Sequence, residues 1–380
     1  MPDSLRYLRK PQELTHGNRV RLLVDGGEAY PAMLEAIEGA RRSIYFTTFV
    51  YWTGEIATRF AHALSAAGKR GVDVRIILDA FGSHPMDGGL IEHMEAHGVR
   101  VLRFRKLRRP RIWQTAHRTH RRVLVVDHAV AFTGGVGIAE EWTGDARGPS
   151  EWRDTHFRIR GPAVSGIFAA FVDNWNETRS EETCLLPEDH RKAGEPKGDA
   201  NISTIASSPS SKWSPIATLH REVWSRARSK VRISTPYFVP DPVTTAQMLQ
   251  AMERGVKVEV IIPGPYLDKR VCRISSRPEM SDLIENGADI WAFQPAMFHL
   301  KQLVIDDELA VFGTANFNQR SVGKDDELIA IADCPQLVAK LNEHFDEDRS
   351  RSEPWRPAQG WRRWVSRAWS GLLRPFREQF

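Results

Sequence analysis

Apolar and polar positions fall along this chain in two long blocks that follow the same order. In each block an amphipathic helical pattern leads into an apolar run. YPAMLEAIEGARRS (30–43) precedes ARRSIYFTTFVY (40–51), and WSPIATLHREVWSRARS (213–229) precedes ARSKVRISTPYF (227–238). A second helical pattern follows each run, EIATRFAHALSAAGKR (55–70) and PVTTAQMLQAMERG (242–255). Then come GVDVRIILDA (71–80) and its counterpart GVKVEVIIPG (255–264), and HGVRVLRF (97–104) and its counterpart NGADIWAF (286–293). Apolar β-branched runs alternating with amphipathic helices predict an α/β architecture with helices covering a sheet.

Each block closes on a histidine segment, HRRVLVVDHAVAFTGGVGIA from His120 and HLKQLVIDDELAVFGTANFNQRS from His299, 179 positions apart. A repeat of nearly half the chain is a domain duplication, far longer than a solenoid unit. The stretch PEDHRKAGEPKGDANISTIASSPSS (187–211), rich in Pro, Gly, Ser and charge, reads as the boundary. The expected organisation is a first domain over 1–190, a second over 201–350, and a basic tail over 355–380 with no counterpart in the first half.

Composition adds limits. The 380 residues suffice for two domains, and 41% hydrophobic with 27% charged content is that of a folded protein. A net charge of +5 favours anionic partners without choosing among nucleic acid, phosphorylated metabolites and acidic lipid. Cys184, Cys272 and Cys334 are isolated, which gives neither a disulfide framework nor a zinc site and fits a reducing compartment. The N-terminus is charged where a signal peptide is apolar, and no stretch reaches the apolar length of a membrane span.

The histidine segments carry the chemistry. Residues two apart on a strand share a face, so His120 and Arg122, like His299 and Lys301, point the same way. Asp127 and Asp306 each lie seven places after the histidine, an odd offset, and read as orienting or structural groups, not proton donors. Gly134 and Gly135, and Gly313 with Thr314, let backbone approach a ligand closely, and Asn316 adds a neutral donor. Imidazoles beside cations and amide donors suit phosphate esters, whose non-bridging oxygens gather charge in the transition state. One histidine attacks phosphorus while the other moves the proton, which calls for two histidines and no metal or other cofactor.

Both segments resemble the HxKxxxxD signature of the phospholipase D superfamily, over nearly the whole chain. His299, Lys301, Asp306, Gly313, Thr314 and Asn316 match it closely, with threonine where serine is commoner. TPYFVPD (235–241), GTANFNQRS (313–321) and WRDTHFRIRGPAV (152–164) look most like bacterial cardiolipin synthases of that type. The resemblance implies two pseudo-twofold-related domains, each a mixed sheet flanked by helices, with the active site at their interface. It places His120, Arg122, Asp127, His299, Lys301 and Asp306 in the catalytic set, with His120 as nucleophile and His299 as proton shuttle. It implies a carboxylate behind each histidine, for which Asp154 and Glu327 stand in position. The first copy departs twice, with Arg122 in place of lysine and Gly137 in place of asparagine.

By the same resemblance the substrate is an anionic phospholipid, phosphatidylglycerol, and the location the inner face of a bacterial cell membrane, peripherally from the cytoplasm. Lipid or nucleic acid hydrolysis, and a degenerate member that binds phosphates without turnover, are the alternatives. RFRKLRRPRIWQTAHRTHRR (103–122) mixes basic and aromatic residues and suits either nucleic acid or an anionic membrane. In WRRWVSRAWSGLLRPFREQF (361–380), Trp361, Trp364, Val365, Ala368, Trp369 and Leu372 fall at helical spacings among arginines, the pattern of an interfacial anchor. That favours lipid. Protein partners are not legible in the sequence.

Overall fold

The computed structural model describes residues 14–106, 117–178, 195–208, 214–268 and 270–357. The first half supplies β1 (Thr15–Val24), β2 (Ser43–Thr48), β3 (Asp73–Asp79), β4 (Arg100–Phe104), β5 (Val123–Val126), β6 (Val130–Gly134) and β7 (Thr155–Arg160). The second supplies β8 (Ala200–Ser207), β9 (Lys230–Ser234), β10 (Lys257–Pro263), β11 (Asp289–Phe293), β12 (Gln302–Ile305), β13 (Leu309–Gly313) and β14 (Glu327–Asp333), with β15 (Ser352–Pro354) added at the edge. The helices are α1 (Asp25–Glu38), α2 (Glu55–Lys69), α3 (Gly88–Glu95) and α4 (Val164–Glu177), then α5 (Pro215–Arg226), α6 (Pro242–Glu253), α7 (Arg270–Ser275), α8 (Arg277–Glu285), α9 (Gln319–Gly323) and α10 (Pro335–Ser350).

The strands described form one sheet, and the duplication is written into its order. Outward from the central pair of β1 and β8, one arm runs β1, β7, β6, β5, β2, β3, β4 and the other β8, β14, β13, β12, β9, β10, β11. In each arm the three outer strands are parallel and the rest antiparallel. The expected α/β fold of two mixed-sheet halves flanked by helices is the observed one.

Among the described residues the largest apolar clusters cover the sheet in three layers. Leu34, Ile37, Phe60 and Leu64 from α1 and α2 pack on Ile44, Val74, Ile76 and Leu124, while Leu219, Trp224 and Met248 from α5 and α6 pack on Val231, Ile233 and Val258. The third layer is shared. Phe168 and Phe171 of α4 and Leu337 and Leu341 of α10 cover strands of both halves, where Phe157 stacks on Phe312 at 3.9 Å. A core built from both halves makes them fold as one body, since neither can bury this layer alone.

The stretch read as the boundary contains β8, which starts one residue before the expected second domain at 201 and pairs with β14 and β1 at the centre of the sheet. Rich in small and polar residues, it carries no apolar run to announce it. The histidine segments differ from expectation too: β5 starts at Val123 and β12 at Gln302, so each histidine sits in the extended lead-in before its strand.

Asp127 and Asp306 are corrected out of the catalytic set. Each stands at the far end of its strand with positive φ (54° and 52°). Asp127 accepts hydrogen bonds from the backbone N–H of Arg41, Arg42 and Ser43, and Asp306 from those of Arg228, Ser229 and Lys230. They tie the end of the histidine strand to the start of its antiparallel neighbour, β2 or β9, a structural task repeated in both halves.

Candidate active site

The strand order carries both histidines to one edge. Val123 pairs with Thr47 near the carboxyl end of β2, and Gln302 pairs with Ser234, the last residue of β9. Ligands bind beyond the carboxyl ends of parallel strands because loops there are free to vary. Backbone contacts then cross between halves: His120 N donates to Asp326 O (2.9 Å), and His299 N donates to Arg153 O (2.7 Å). Each histidine is thereby set beside a carboxylate of the other half.

His120 Nδ1 lies 2.9 Å from Oε1 of Glu327, and His299 Nδ1 lies 2.6 Å from Oδ2 of Asp154. A carboxylate on Nδ1 fixes the ring and turns Nε2 toward the reacting atoms. The cations share those faces as the two-residue spacing predicts. Arg122 Nη1 is 3.1 Å from His120 Nε2, and Lys301 Nζ is 3.1 Å from His299 Nε2. All four groups are buried.

Burial sets the charge states. It pushes His299 down to about 3, helped by the positive charge of Lys301 and opposed by Asp154. It pushes Lys301 down to about 7 against the pull of Asp154. Glu327 is pushed up to about 7 by burial, opposed by hydrogen bonds from Ser321 and Thr314. Burial acts on Asp154 in the same sense, but His299, Lys301 and the hydrogen bonds it receives hold it below the ordinary carboxylate value. The two carboxylates therefore differ, one firmly ionised and one poised near neutrality.

The glycines expected at the phosphate have another task. A Cβ on Gly135 would lie 2.0 Å from Oδ1 of Asp154, and one on Gly134 (φ 146°) would lie 2.6 Å from Thr155 O. They make room for the carboxylate of Asp154 and for its strand, a reason for glycine at both positions that the sequence does not show. Thr314, at the position matching Gly135, donates through Oγ1 to Glu327 Oε2. Asn316 is buried and lines the same small pocket as Lys301, and its Oδ1 has no hydrogen-bond partner among the described residues. Gly137, which replaces the equivalent asparagine, lies where a Cβ would come 2.9 Å from Val50 and 3.2 Å from Trp142.

Several residues escape sequence reasoning. Trp142 Nε1 donates to Asp154 Oδ2 (2.8 Å), and Trp142 and Trp152 pack on the His299 ring at 5.3 and 5.2 Å. Arg153 bridges the halves, with Nε and Nη2 on Asp348 (2.8 and 3.0 Å) and Nη1 on Asp25 (3.1 Å). Asp25 also accepts the Asp154 N–H at 2.8 Å, so this ion group holds the strand that presents Asp154. The WRD triplet was a visible signal, but its partners are remote in sequence. Tyr237 donates to Asp268 (2.7 Å) and Phe238 lies in the core. The tail after 357 lies outside the described residues.

The family described as cardiolipin synthase, PLD-like domain, matches residues 33–143 and 221–349. The chain belongs to that family. It is similar to the cardiolipin synthase of Geobacillus thermodenitrificans, 31% identical over 355 residues, covering 92% of this chain and 70% of the relative. The cardiolipin synthase of Listeria monocytogenes serotype 4a is 30% identical over 340 residues, covering 89% and 70%. Among solved structures, phosphatidylserine synthase from Haemophilus influenzae superposes with a TM-score of 0.74 at 13% identity, covering 99% of this chain and all of that one. Polyphosphate kinase from Porphyromonas gingivalis gives 0.59 at 12% identity, over 95% of this chain and 54% of its own. These two likenesses establish the fold. No helix among the described residues is long and apolar enough to cross a membrane.

Proposed function

We propose that this member of the cardiolipin synthase family transfers a phosphatidyl group between two phosphatidylglycerols, giving cardiolipin and glycerol, at the inner face of a bacterial membrane. The observation that carries the reading is the pair of histidines, each backed by the other half's carboxylate and faced by its own cation. Such an arrangement provides a nucleophile, a proton carrier and two charges for a phosphodiester.

In the first step His120 Nε2 attacks phosphorus, the bond from phosphorus to the glycerol oxygen breaks, and His299 gives that oxygen its proton. In the second step the hydroxyl of another phosphatidylglycerol passes its proton to His299 and attacks phosphorus, releasing His120. Burial and the neighbouring cations disfavour the imidazolium of His299. A bound phosphodiester anion between Arg122 and Lys301 offsets their charge and raises the proton affinity of His299, so substrate itself arms the acid. Arg122 and Lys301 would then leave Nε2 of their histidines for the phosphate oxygens.

Mass spectrometry of phosphatidylglycerol vesicles after incubation with the protein tests this. Cardiolipin and glycerol in equal amounts are expected. Phosphatidic acid as the sole product would mean hydrolysis, and an unchanged lipid would remove the transferase reading. Acid-labile phosphate trapped on the wild-type protein during turnover, and absent from His120→Ala, is expected from the division of roles.

A further inference from the structure

His120 is flanked by Thr119 and Arg121, both buried, and both reach α4. Thr119 Oγ1 donates to Oδ1 of Asn174 (3.0 Å), and Arg121 Nη1 donates to the carbonyl of Ala170 (2.6 Å). Residues four apart share a helix face, so one face of α4 holds the chain on either side of His120. Thr119 N is tied as well, donating to Oδ2 of Asp79 at 3.1 Å.

The same helix holds the carboxylate that the other half supplies. Asn174 Nδ2 donates to Oδ2 of Asp326 (2.9 Å), and Arg121 Nε donates to the carbonyl of Glu327 (3.3 Å). Thr119 and Asp326 lie side by side in an isolated parallel bridge, with His120 N on Asp326 O and Asp326 N on Arg118 O. Asn174 is itself buried, and it spends its carbonyl on the residue before His120 and its amide on the residue before Glu327. An amide accepts from a hydroxyl and donates to a carboxylate at once, which neither a carboxylate nor an apolar group can do. The opposite histidine is held differently. Phe298 and Leu300, which flank His299, lie in an apolar cluster with Phe345 of α10, the helix that follows β14 as α4 follows β7. Apolar packing is non-directional, whereas hydrogen bonds fix distance and angle.

We propose that Asn174 is a positioning residue for the nucleophile: it clamps Thr119 to Asp326, so that Glu327 stays on Nδ1 of His120 and Nε2 stays aimed at phosphorus. The proposal rests on the phosphatidyl-transfer reading, in which His120 carries the covalent phosphatidyl group. A nucleophile has one line of approach to phosphorus, and a displacement of about 1 Å costs on the order of 10²-fold in rate.

The test compares the wild type with Asn174→Asp, Asp326→Asn and the double variant Asn174→Asp/Asp326→Asn. The first opposes two carboxylates, and the double variant reverses the hydrogen bond while keeping its geometry. Rapid quench with radiolabelled phosphatidylglycerol vesicles reads acid-labile phosphate on the protein in the first turnover. Asn174→Asp should form it at least about tenfold more slowly at undiminished amplitude, and the double variant should recover to within about threefold of wild type. A destabilised fold would instead lower the amplitude at an unchanged rate constant, and that result would overturn the proposal, as would an unaltered rate or no recovery in the double variant. If Asn174→Asp does not fold, Thr119→Val removes the hydroxyl at constant shape and should show the same slowing. A second readout needs no turnover: in histidine-labelled protein the Nδ1 proton resonance of His120 should move in Asn174→Asp and return in the double variant, while that of His299 stays. A wild type that forms no phosphohistidine would sink the transfer reading, and the His120 resonance would then decide the clamp by itself, an unmoved signal overturning it.

Discussion

His120 Nδ1 in the first half lies 2.9 Å from the carboxylate of Glu327 in the second, and His299 lies 2.6 Å from Asp154 in the reverse sense. Neither half holds a complete site. The duplication is therefore more than two copies of one function, because each copy supplies the group that orients the other's imidazole.

That crossing makes Asp154→Asn a test of function at a distance in sequence. The amide cannot hold the same tautomer, and kcat should fall by roughly 10²–10⁴-fold while the fold persists. Because the two residues act as one unit, adding Asp154→Asn to His299→Ala should cost little more. Steady-state rates of the two single variants and the double variant check this, and additive losses would mean that Asp154 acts elsewhere.

Lys301 gives a pH prediction. Burial holds its ammonium at about 7, so the cation is present below that pH and lost as pH rises through it. The kcat/KM profile, which reports the free enzyme, should therefore fall on its alkaline side near 7. Lys301→Arg copies the natural choice at Arg122 and keeps its charge, which should carry that limb to higher pH. Superimposable profiles would assign the limb to another group.

The crowding at Gly135 separates activity from stability. A Cβ there meets the Asp154 carboxylate at 2.0 Å, so Gly135→Ala should displace the orienting group and lower kcat at least about tenfold. At Gly313 the φ of 151° and a backbone oxygen of Leu328 at 2.1 Å from the added Cβ leave no side chain to yield. Gly313→Ala should be the less stable of the two by about 1–3 kcal/mol, read as a shift in urea midpoint. The opposite ranking would show that β13 and β14 separate readily.

Arg153 is fully desolvated between Asp25 and Asp348, and Arg153→Leu strands two buried carboxylates. Removing one partner of such a group costs about 3–5 kcal/mol, measurable by denaturant unfolding. Replacing Asp25 and Asp348 by asparagine in the same chain should recover part of the loss. No recovery would mean that Arg153 acts through packing alone.

The sequence by itself determined the duplicated α/β order, the two histidines and the cation two places after each, because period-2 and period-3.6 patterns and short spacings are local. It also carried a structural role for Asp127 and Asp306, although they act from positive-φ turns beyond their strands and not through strand alternation. What only the tertiary structure decided depends on pairings far apart in the chain. The β8 strand has no apolar run, and its central place appears only once β1 and β14 flank it. Gly135 looks like a ligand turn until the Asp154 carboxylate occupies the place of its Cβ. The exchange of carboxylates between halves, and the arginine that ties Asp25 to Asp348, exist only once two pseudo-equivalent arms share one sheet, since burial and hydrogen-bond reach are properties of neighbours in space that sequence separation does not encode.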